Sequence, residues 1–163
     1  MVTRADGPTS VGSCTAAPIR RAVPGDLEDL LVLVGEFYEI DRHEFDRSTV
    51  LRGLGPLLDG DEHGQVWLLL DNRDRSAAGY AVMTWSWSLE SGGREALLDE
   101  IYVRDRASGA GSALLNRVLR EASARGARAV FLETEEHNER VRAFYSRHGF
   151  AVEKSTWMSR VLP

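Results

Sequence analysis

The stretch RDRASGAGSALLNRVLREA, residues 104–122, decides the fold of this chain. Gly109 and Gly111 stand one residue apart, with Arg106 upstream. Glycines at such positions let backbone N–H groups come close to an anion, and a helix that starts there presents its positive end to it. Downstream, apolar residues recur at helical spacing, at Leu114, Leu115, Val118, Leu119 and Ala122. The stretch therefore predicts a phosphate-binding loop that leads into an α-helix.

Three kinds of phosphate-binding loop share this outline. A P-loop needs a lysine directly after the second glycine of its motif, and none follows here. A dinucleotide-binding loop needs a small residue where Leu114 stands, and the stretch after Glu133 is too short for the second half of such a fold. The third pattern, R-x-x-G-x-G, is met by Arg106, Gly109 and Gly111. It is the favoured interpretation, with an ordinary turn at a helix start as the alternative.

The segments on either side of this loop predict one domain with a mixed sheet. Helical periodicity predicts helices at residues 27–40, 47–58 and 137–149, besides the one after the glycines. The order changes from a strand meander to strand–helix–strand at the loop, which predicts antiparallel pairing before the loop and a parallel crossover at it. We expect an α/β (α+β) domain over residues 18–163, behind a flexible leader at residues 1–17. Apolar runs predict its strands at residues 19–23, 65–71, 77–89, 95–103 and 129–134, with a final pair of strands within residues 150–162.

Composition narrows the classes of protein and partner. The formal net charge of −5 and the pI near 5.4 argue against a nucleic-acid surface as the main partner. No apolar run approaches the roughly 20 residues that span a bilayer, and the N-terminal residues lack the apolar core of a secretory signal. We therefore expect no membrane partner and a cytoplasmic location. The one cysteine, Cys14, excludes an internal disulfide, and no cluster of His, Cys and acidic residues has the spacing of a metal site.

Two separated motifs carry a resemblance to a known family. The pattern R-x-x-G-x-G is followed by N-x-x-V-x-x-F-Y-x-x-x-G-F at residues 138–150, with a helix and a strand predicted between them. In this order the motifs resemble those of the GNAT N-acetyltransferases, and the resemblance runs from Ile19 to the end of the chain. It implies a mostly antiparallel sheet splayed between its fourth and fifth strands, helices on both faces, and acetyl-CoA in the split.

The resemblance also implies the coenzyme-binding residues. The backbone of the fourth strand would hold the pantetheine arm, the glycine loop would hold the pyrophosphate, and Asn138 would cap the last helix and contact the coenzyme. One departure is visible, because the stretch from Val103 to Arg106 is about two residues short and Ala107 stands where the family commonly has glycine. The implied set is Ile101, Tyr102, Val103, Arg106, Ser108, Gly109, Ala110, Gly111, Ser112, Asn138 and Tyr145.

Two residues are candidates for the chemistry of acetyl transfer by direct attack of an amine. By resemblance, the Tyr145 hydroxyl points at the coenzyme sulfur, and a phenol, which is protonated at neutral pH, can protonate the departing thiolate. Asp99 and Glu100 are adjacent on a predicted strand and so point to opposite faces. Glu100 shares a face with Tyr102, whereas Asp99 shares the more apolar face with Leu97, Ile101 and Val103. We therefore favour Glu100 as the base unless a bulge shifts the register. Because an ordinary carboxylate takes a proton from an ammonium about 8 kcal/mol uphill, Glu100 would need a raised pKa, a water relay, or only a cation-binding role.

The acceptor side is predicted from charge and aromatic content. The stretch at residues 37–46, the third-strand tryptophans and the turn at residues 88–94 would form an acidic, aromatic mouth suited to a small cationic amine. The alternative is that the tryptophans are core residues and the charges a solvated loop. A protein or peptide amino group, and a non-catalytic acyl-CoA sensor, stay open as alternative functions, as does a homodimer through the C-terminal strands. The candidate acceptor-binding residues are Tyr38, His43, Trp85, Trp87, Glu90 and Asp99.

Overall fold

The computed structural model describes residues 17–135 and 137–161. The predicted leader, including Cys14, lies outside the described residues except for Ala17. The helices are α1 (Leu27–Asp41), α2 (Arg47–Asp59), α3 (Ala110–Ala124) and α4 (Glu139–Ser146), with a 3-10 turn at Pro24–Asp26 before α1. The strands are β1 (Ile19–Arg21), β2 (Gly64–Leu70), β3 (Ala77–Ser88), β4 (Gly93–Val103) and β5 (Val130–Phe131).

The five strands form one sheet in the order β1–β2–β3–β4–β5. The first three pairings are antiparallel, and β4 and β5 are parallel because α3 carries the chain back along the sheet. The predicted mixed, mostly antiparallel α/β sheet is confirmed. Among the described residues, no helix is both long and apolar enough to cross a membrane.

The sheet separates two hydrophobic cores. Helices α1 and α2 cover one face, where Leu30, Leu33 and Leu68 are fully buried. Helix α3 covers the other face through Leu114, Leu115, Val118 and Ala122, four of the five residues predicted from its spacing. Residues of α4, among them Phe144 and Tyr145, pack against this second core. Helices therefore cover both faces of the sheet.

The sheet splays between β4 and β5, as expected. The two strands pair only at Ala96–Val130 and Leu97–Phe131, and β4 then continues without β5 to Val103. Near this point β4 also carries a bulge against β3, since Met83 pairs with Leu98 and Val82 with Glu100, which leaves Asp99 as an extra residue. Strand β5 is shorter than the predicted 129–134 because the chain after Phe131 diverges from β4 and no longer pairs with it.

The predicted pair of strands after Phe150 is wrong. No strand occurs among residues 150–161, and residues 151–161 are all exposed. A strand needs the edge of another strand, and β5 offers only two residues of edge. The apolar side chains Val152, Trp157, Met158 and Val161 also fail to alternate with period two, so they define no single face for a sheet.

At Gly79 the backbones of β3 and β4 lie too close together to admit a side chain. A Cβ added there would lie 2.6 Å from the Tyr102 carbonyl oxygen and 2.9 Å from a Val103 methyl group. We expect Gly79→Ala to lower the free energy of unfolding by about 1–3 kcal/mol because the strands must separate to admit it. The matched control is Gly53→Ala on exposed α2, where nothing lies within 4 Å and the change should stabilise by up to about 1 kcal/mol. Urea unfolding of both variants is the measurement, and equal effects would contradict the prediction.

Candidate active site

The splay opens a cleft of about 1320 Å³. Its walls are the unpaired part of β4, the end of α1 with the loop that follows it, the chain after β5, and α4. The structure brings together there a large part of the residues singled out from the sequence: Tyr38, His43, Asp99, Glu100, Ile101, Tyr102, Val103, Arg106, Gly111, Asn138 and Tyr145.

The glycine loop forms the N-terminus of α3 beside this cleft. Gly109 is the N-cap and has φ 79°, a left-handed conformation that favours glycine. A Cβ on Gly111 would lie 3.7 Å from Val103 and 3.9 Å from Phe144, so glycine keeps this part of the wall open. The first N–H groups of a helix have no partner within the helix, and here they lie at the border of the cleft. The helix start can therefore hold an anion.

The short stretch ahead of the glycines is bound internally. The Asp105 carboxylate accepts from the Ala107 N–H at 2.9 Å, and the Ser108 hydroxyl donates to the Asp105 carbonyl at 3.0 Å. Arg104 binds Glu36 on α1 through two guanidinium nitrogens, at 2.7 and 2.8 Å, and so turns away from the loop. Arg106 is the cation of this stretch that lines the cleft. Ser108, Gly109, Ala110 and Ser112 lie on the loop and helix start but outside the cleft lining.

Glu100 lies on the α1 side of the sheet with both carboxylate oxygens hydrogen-bonded. Tyr38 donates to Oε1 at 2.9 Å and Tyr80 donates to Oε2 at 2.6 Å. Desolvation raises the pKa of Glu100, and the two hydrogen bonds oppose that rise because they favour the ionised form. Tyr102 shares this face and donates to Glu36 at 3.2 Å. The carboxylate is thus held in place where solvent is partly excluded.

The bulge corrects part of the predicted face assignment. Beyond it, Glu100 and Tyr102 share a face and Ile101 and Val103 the other, as expected. Before it, Leu98 rather than Leu97 belongs with Ile101 on the α3 side. Asp99 itself is exposed at the bulge and lines the cleft. Neighbouring atoms still displace part of its hydration, which raises its pKa.

Helix α4 places Tyr145 in the cleft. The Asn138 side chain accepts from the Val141 N–H at 3.2 Å, which is the predicted cap of this helix. Phe144 and Phe150 pack edge-on against the Tyr145 ring and fix its direction. Desolvation raises the pKa of Tyr145 to about 12, so its hydroxyl is a protonated donor at neutral pH.

Three candidate acceptor residues lie away from the cleft. Trp85 donates from Nε1 to the Asp61 carbonyl at 2.9 Å and carries the Arg94 guanidinium 5.5 Å from its ring centre. Trp87 is 74% exposed, and Glu90 lies in the turn after β3. Trp85 and Trp87 pair with β4 residues that precede the splay, so the structure does not bring them to the cleft.

The cleft also has lining residues that the sequence analysis did not assign to it. Glu133, Glu135, His137 and Arg140 follow β5. Their position could have been inferred, because residues that follow parallel strands collect at one edge of a sheet. The described lining contains six carboxylates (Asp41, Glu44, Asp99, Glu100, Glu133, Glu135) and four guanidinium groups (Arg42, Arg106, Arg140, Arg147). Within the described part of the chain, no group of three or more His, Cys, Asp or Glu side chains could hold a metal ion.

Comparison with known proteins agrees with this architecture. The model of the acetyltransferase (GNAT) family matches residues 28–150. Integron cassette protein HFX_CASS3, from the mobile metagenome of Cole Harbour Salt Marsh, is 29% identical, with 89% of this chain and 90% of that one covered and a TM-score of 0.78. An Arthrobacter sp. FB24 protein with a provisional acetyltransferase designation is 26% identical, with 96% and 100% covered and a TM-score of 0.75.

A third structure shows the fold alone. Ribosomal-protein-alanine N-acetyltransferase from Brucella melitensis biovar Abortus 2308 is 19% identical, with 90% of this chain and 100% of that one covered and a TM-score of 0.72. No curated protein matches the sequence closely enough to count as a relative.

The raised pKa of Glu100 has a consequence for stability. Folding disfavours the ionised form of Glu100, so the folded protein is favoured while this carboxyl is protonated. That contribution to stability is fully present below the pKa of Glu100 in the unfolded chain and is lost as the pH rises through its pKa in the folded protein. We expect the stability of Glu100→Gln relative to the parent to improve from pH 4 to pH 8, because the parent alone loses stability as the Glu100 carboxyl ionises. Urea unfolding across this range is the measurement, with Glu62→Gln at an exposed position as control. A stability difference independent of pH would refute the effect.

Proposed function

The chain belongs to the GNAT acetyltransferase family and is an N-acetyltransferase, and we propose that it transfers the acetyl group of acetyl-CoA to a small cationic amine by direct attack. The observation that carries this proposal is the cleft at the β4–β5 splay. It joins a glycine-rich helix start, a buried carboxylate and a tyrosine donor in one space. Acetyl-CoA bound there supplies the thioester whose acetyl carbon the amine attacks.

The residues present fit the coenzyme. The unpaired edge of β4, from Leu98 to Val103, offers free backbone groups to an extended amide-containing arm, in the manner of an added strand. Gly111 keeps open the space between Val103 and Phe144, which a side chain would narrow. The N-terminus of α3 and Arg106 supply positive potential for the phosphates. Ser108, Gly109, Ala110 and Ser112 would act through their backbone at this helix start.

Tyr145 is proposed to stabilise the sulfur as the C–S bond breaks. Its pKa of about 12 lies above the value of about 8.5 for an ordinary thiol, so complete proton transfer to the thiolate would run uphill by roughly 5 kcal/mol. A hydrogen bond from the phenol to the developing thiolate carries no such cost. Tyr145 therefore serves as a donor to the leaving group, and the thiolate receives its proton from solvent.

Glu100 is proposed to receive the proton that the amine nitrogen loses as the N–C bond forms. Its raised pKa narrows the gap between a carboxylate and an ammonium group. Asp99, exposed in the same cleft, is placed to bind the cation before reaction. The excess of carboxylates over guanidinium groups in the lining supports a cationic rather than a neutral acceptor. Tyr38 and His43 on the α1 side add aromatic surface suited to a cation.

Acetyl transfer is tested by release of free thiol from acetyl-CoA with pooled amines. We expect turnover with small di- or polycationic amines, and weaker turnover with neutral amines and with peptides. Tyr145→Phe should lower kcat about 10- to 100-fold with little change in the KM of the amine, since a hydrogen bond to a charged group contributes about 1.5–3 kcal/mol. A matched control is Phe131→Tyr, a ring substitution outside the cleft lining. Thiol release that is equal in the parent and Tyr145→Phe would contradict the assigned role, and acetylation only of peptides would contradict the acceptor.

Asp105 places a negative charge beside the proposed phosphate site. Asp105→Asn keeps an oxygen for the Ala107 N–H and removes the charge. We expect coenzyme A to bind about 2- to 5-fold more tightly to this variant at low salt, with the gain lost at high salt. Calorimetric titration with coenzyme A is the measurement. Asp74→Asn is the matched control, because Asp74 makes the same kind of bond to the Ser76 N–H in a loop away from the cleft; an equal gain in both variants would rule out a local effect.

A further inference from the structure

Two tyrosines from different elements hold the Glu100 carboxylate. Tyr38 stands near the C-terminal end of α1 and donates to Oε1 at 2.9 Å. Tyr80 stands on β3, paired with Tyr102 of β4, and donates to Oε2 at 2.6 Å. Burial and the carboxylate raise the pKa of both hydroxyls above the ordinary phenol value, so both are donors throughout the neutral range. Each oxygen of the carboxylate therefore has one acceptor position occupied by a phenol.

The two tyrosines are not equivalent with respect to the cleft. Tyr80 is fully buried in the α1–α2 core and does not line the cleft. Tyr38 lines the cleft, and the His43 and Phe45 rings pack against it at 5.7 and 6.2 Å between ring centres. Oε2 is thus the inner oxygen and Oε1 the oxygen beside the cleft. Because a carboxylate oxygen has two acceptor positions, Oε1 keeps one for a further donor.

We propose that Tyr80 and Tyr38 are positioning residues for acetyl transfer, which fix Glu100 so that Oε1 alone meets the acceptor amine. This inference rests on the proposed function. As the N–C bond forms and the C–S bond breaks, the nitrogen's proton passes to Oε1, the sulfur leaves as a thiolate, and the carboxyl later loses its proton to solvent. Tyr80 keeps the inner oxygen from rotating outward, and Tyr38 stands next to the amine.

The surroundings of Glu100 show why two neutral donors are needed. Asp99, adjacent on β4, opposes ionisation of Glu100, whereas His43 on the loop after α1 favours it when protonated. His43 lies 2.8 Å from Asp41, which offsets part of its charge. On the same face, Glu36 already binds Arg104 and Tyr102. The hydrogen bonds from Tyr80 and Tyr38 are therefore the main contacts that keep a desolvated Glu100 ionised.

Removing the hydroxyl of Tyr80 or of Tyr38, one at a time, distinguishes the roles of the two tyrosines. Tyr80→Phe should raise the pKa of Glu100 and move the acidic limb of the kcat/KM profile upward by on the order of one pH unit, with kcat lowered near pH 7 and the KM of the amine little changed. Tyr38→Phe should shift the limb in the same direction and also raise the KM of the amine several-fold, because its hydroxyl borders the acceptor. Both changes keep the ring and its packing, so both variants should fold.

The Glu100→Gln background is the decisive control. There the loss of either hydroxyl should change kcat by less than about twofold, because the group that the tyrosines position is gone. If Tyr80→Phe lowers kcat equally in both backgrounds and leaves the pH profile unmoved, its role is structural and the inference is overturned.

A measurement without substrate tests this inference independently of the proposed function. The pKa of the Glu100 carboxyl, followed by carbon-13 NMR, should rise in Tyr80→Phe and in Tyr38→Phe relative to the parent. An unchanged pKa overturns the inference even if acetyl transfer is observed. Absence of thiol release by the parent with every amine would instead contradict the proposed function, whatever the titration shows.

Discussion

At Asp99, strand β4 carries one residue more than β3 opposite it, and the rest of the candidate site depends on that bulge. The extra residue changes which side chains face which core, so that Leu98 and Ile101 both pack toward α3 while Glu100 and Tyr102 turn toward α1. It also lies two residues after Leu97, the last residue of β4 that pairs with β5. One inserted residue therefore places a carboxylate against the α1 wall and coincides with the opening of the sheet.

Contacts between α1 and β4 keep that wall in position. Glu36 accepts from Arg104 and Tyr102, and Tyr38 donates to Glu100, so two residues of α1 engage two residues of β4 and Arg104, which follows the strand. The Tyr38–Glu100 and Tyr102–Glu36 pairs are partly buried, and all three pairs span more than sixty residues of sequence. On the other wall, Phe144 and Phe150 hold Tyr145. The two proposed reacting groups thus sit on walls that are fixed independently, which suits a reaction needing two separate substrates in one cleft.

Much of this could be predicted from the sequence, and the failures have physical causes. The apolar runs gave the strands of the meander, and the period of Leu114, Leu115 and Val118 gave the buried face of α3, because periodicity records burial directly. The two motifs placed the splay between the correct strands.

No sequence pattern indicates the bulge, because it arises from how β4 pairs with β3. The bulge places Leu97 on the face opposite to the one predicted. The strands after Phe150 were predicted from composition, but strand formation requires an edge that β5 does not offer. Trp85 and Trp87 were predicted at the acceptor site from their residue type alone. Their pairing with Ala96 and Arg94 of β4 places them away from the cleft.

The central claim is that acetyl-CoA lies where β4 and β5 part, and amide hydrogen exchange measures this most directly. Backbone N–H groups on the edge of β4 beyond the end of β5 have no partner in the sheet and should exchange quickly in the free protein. Addition of coenzyme A should slow exchange at residues 98–103 and 109–112, and leave the turn of the β3–β4 hairpin at residues 88–94 unchanged. Protection confined to that hairpin, or none at residues 98–103 under saturating coenzyme, would contradict the account.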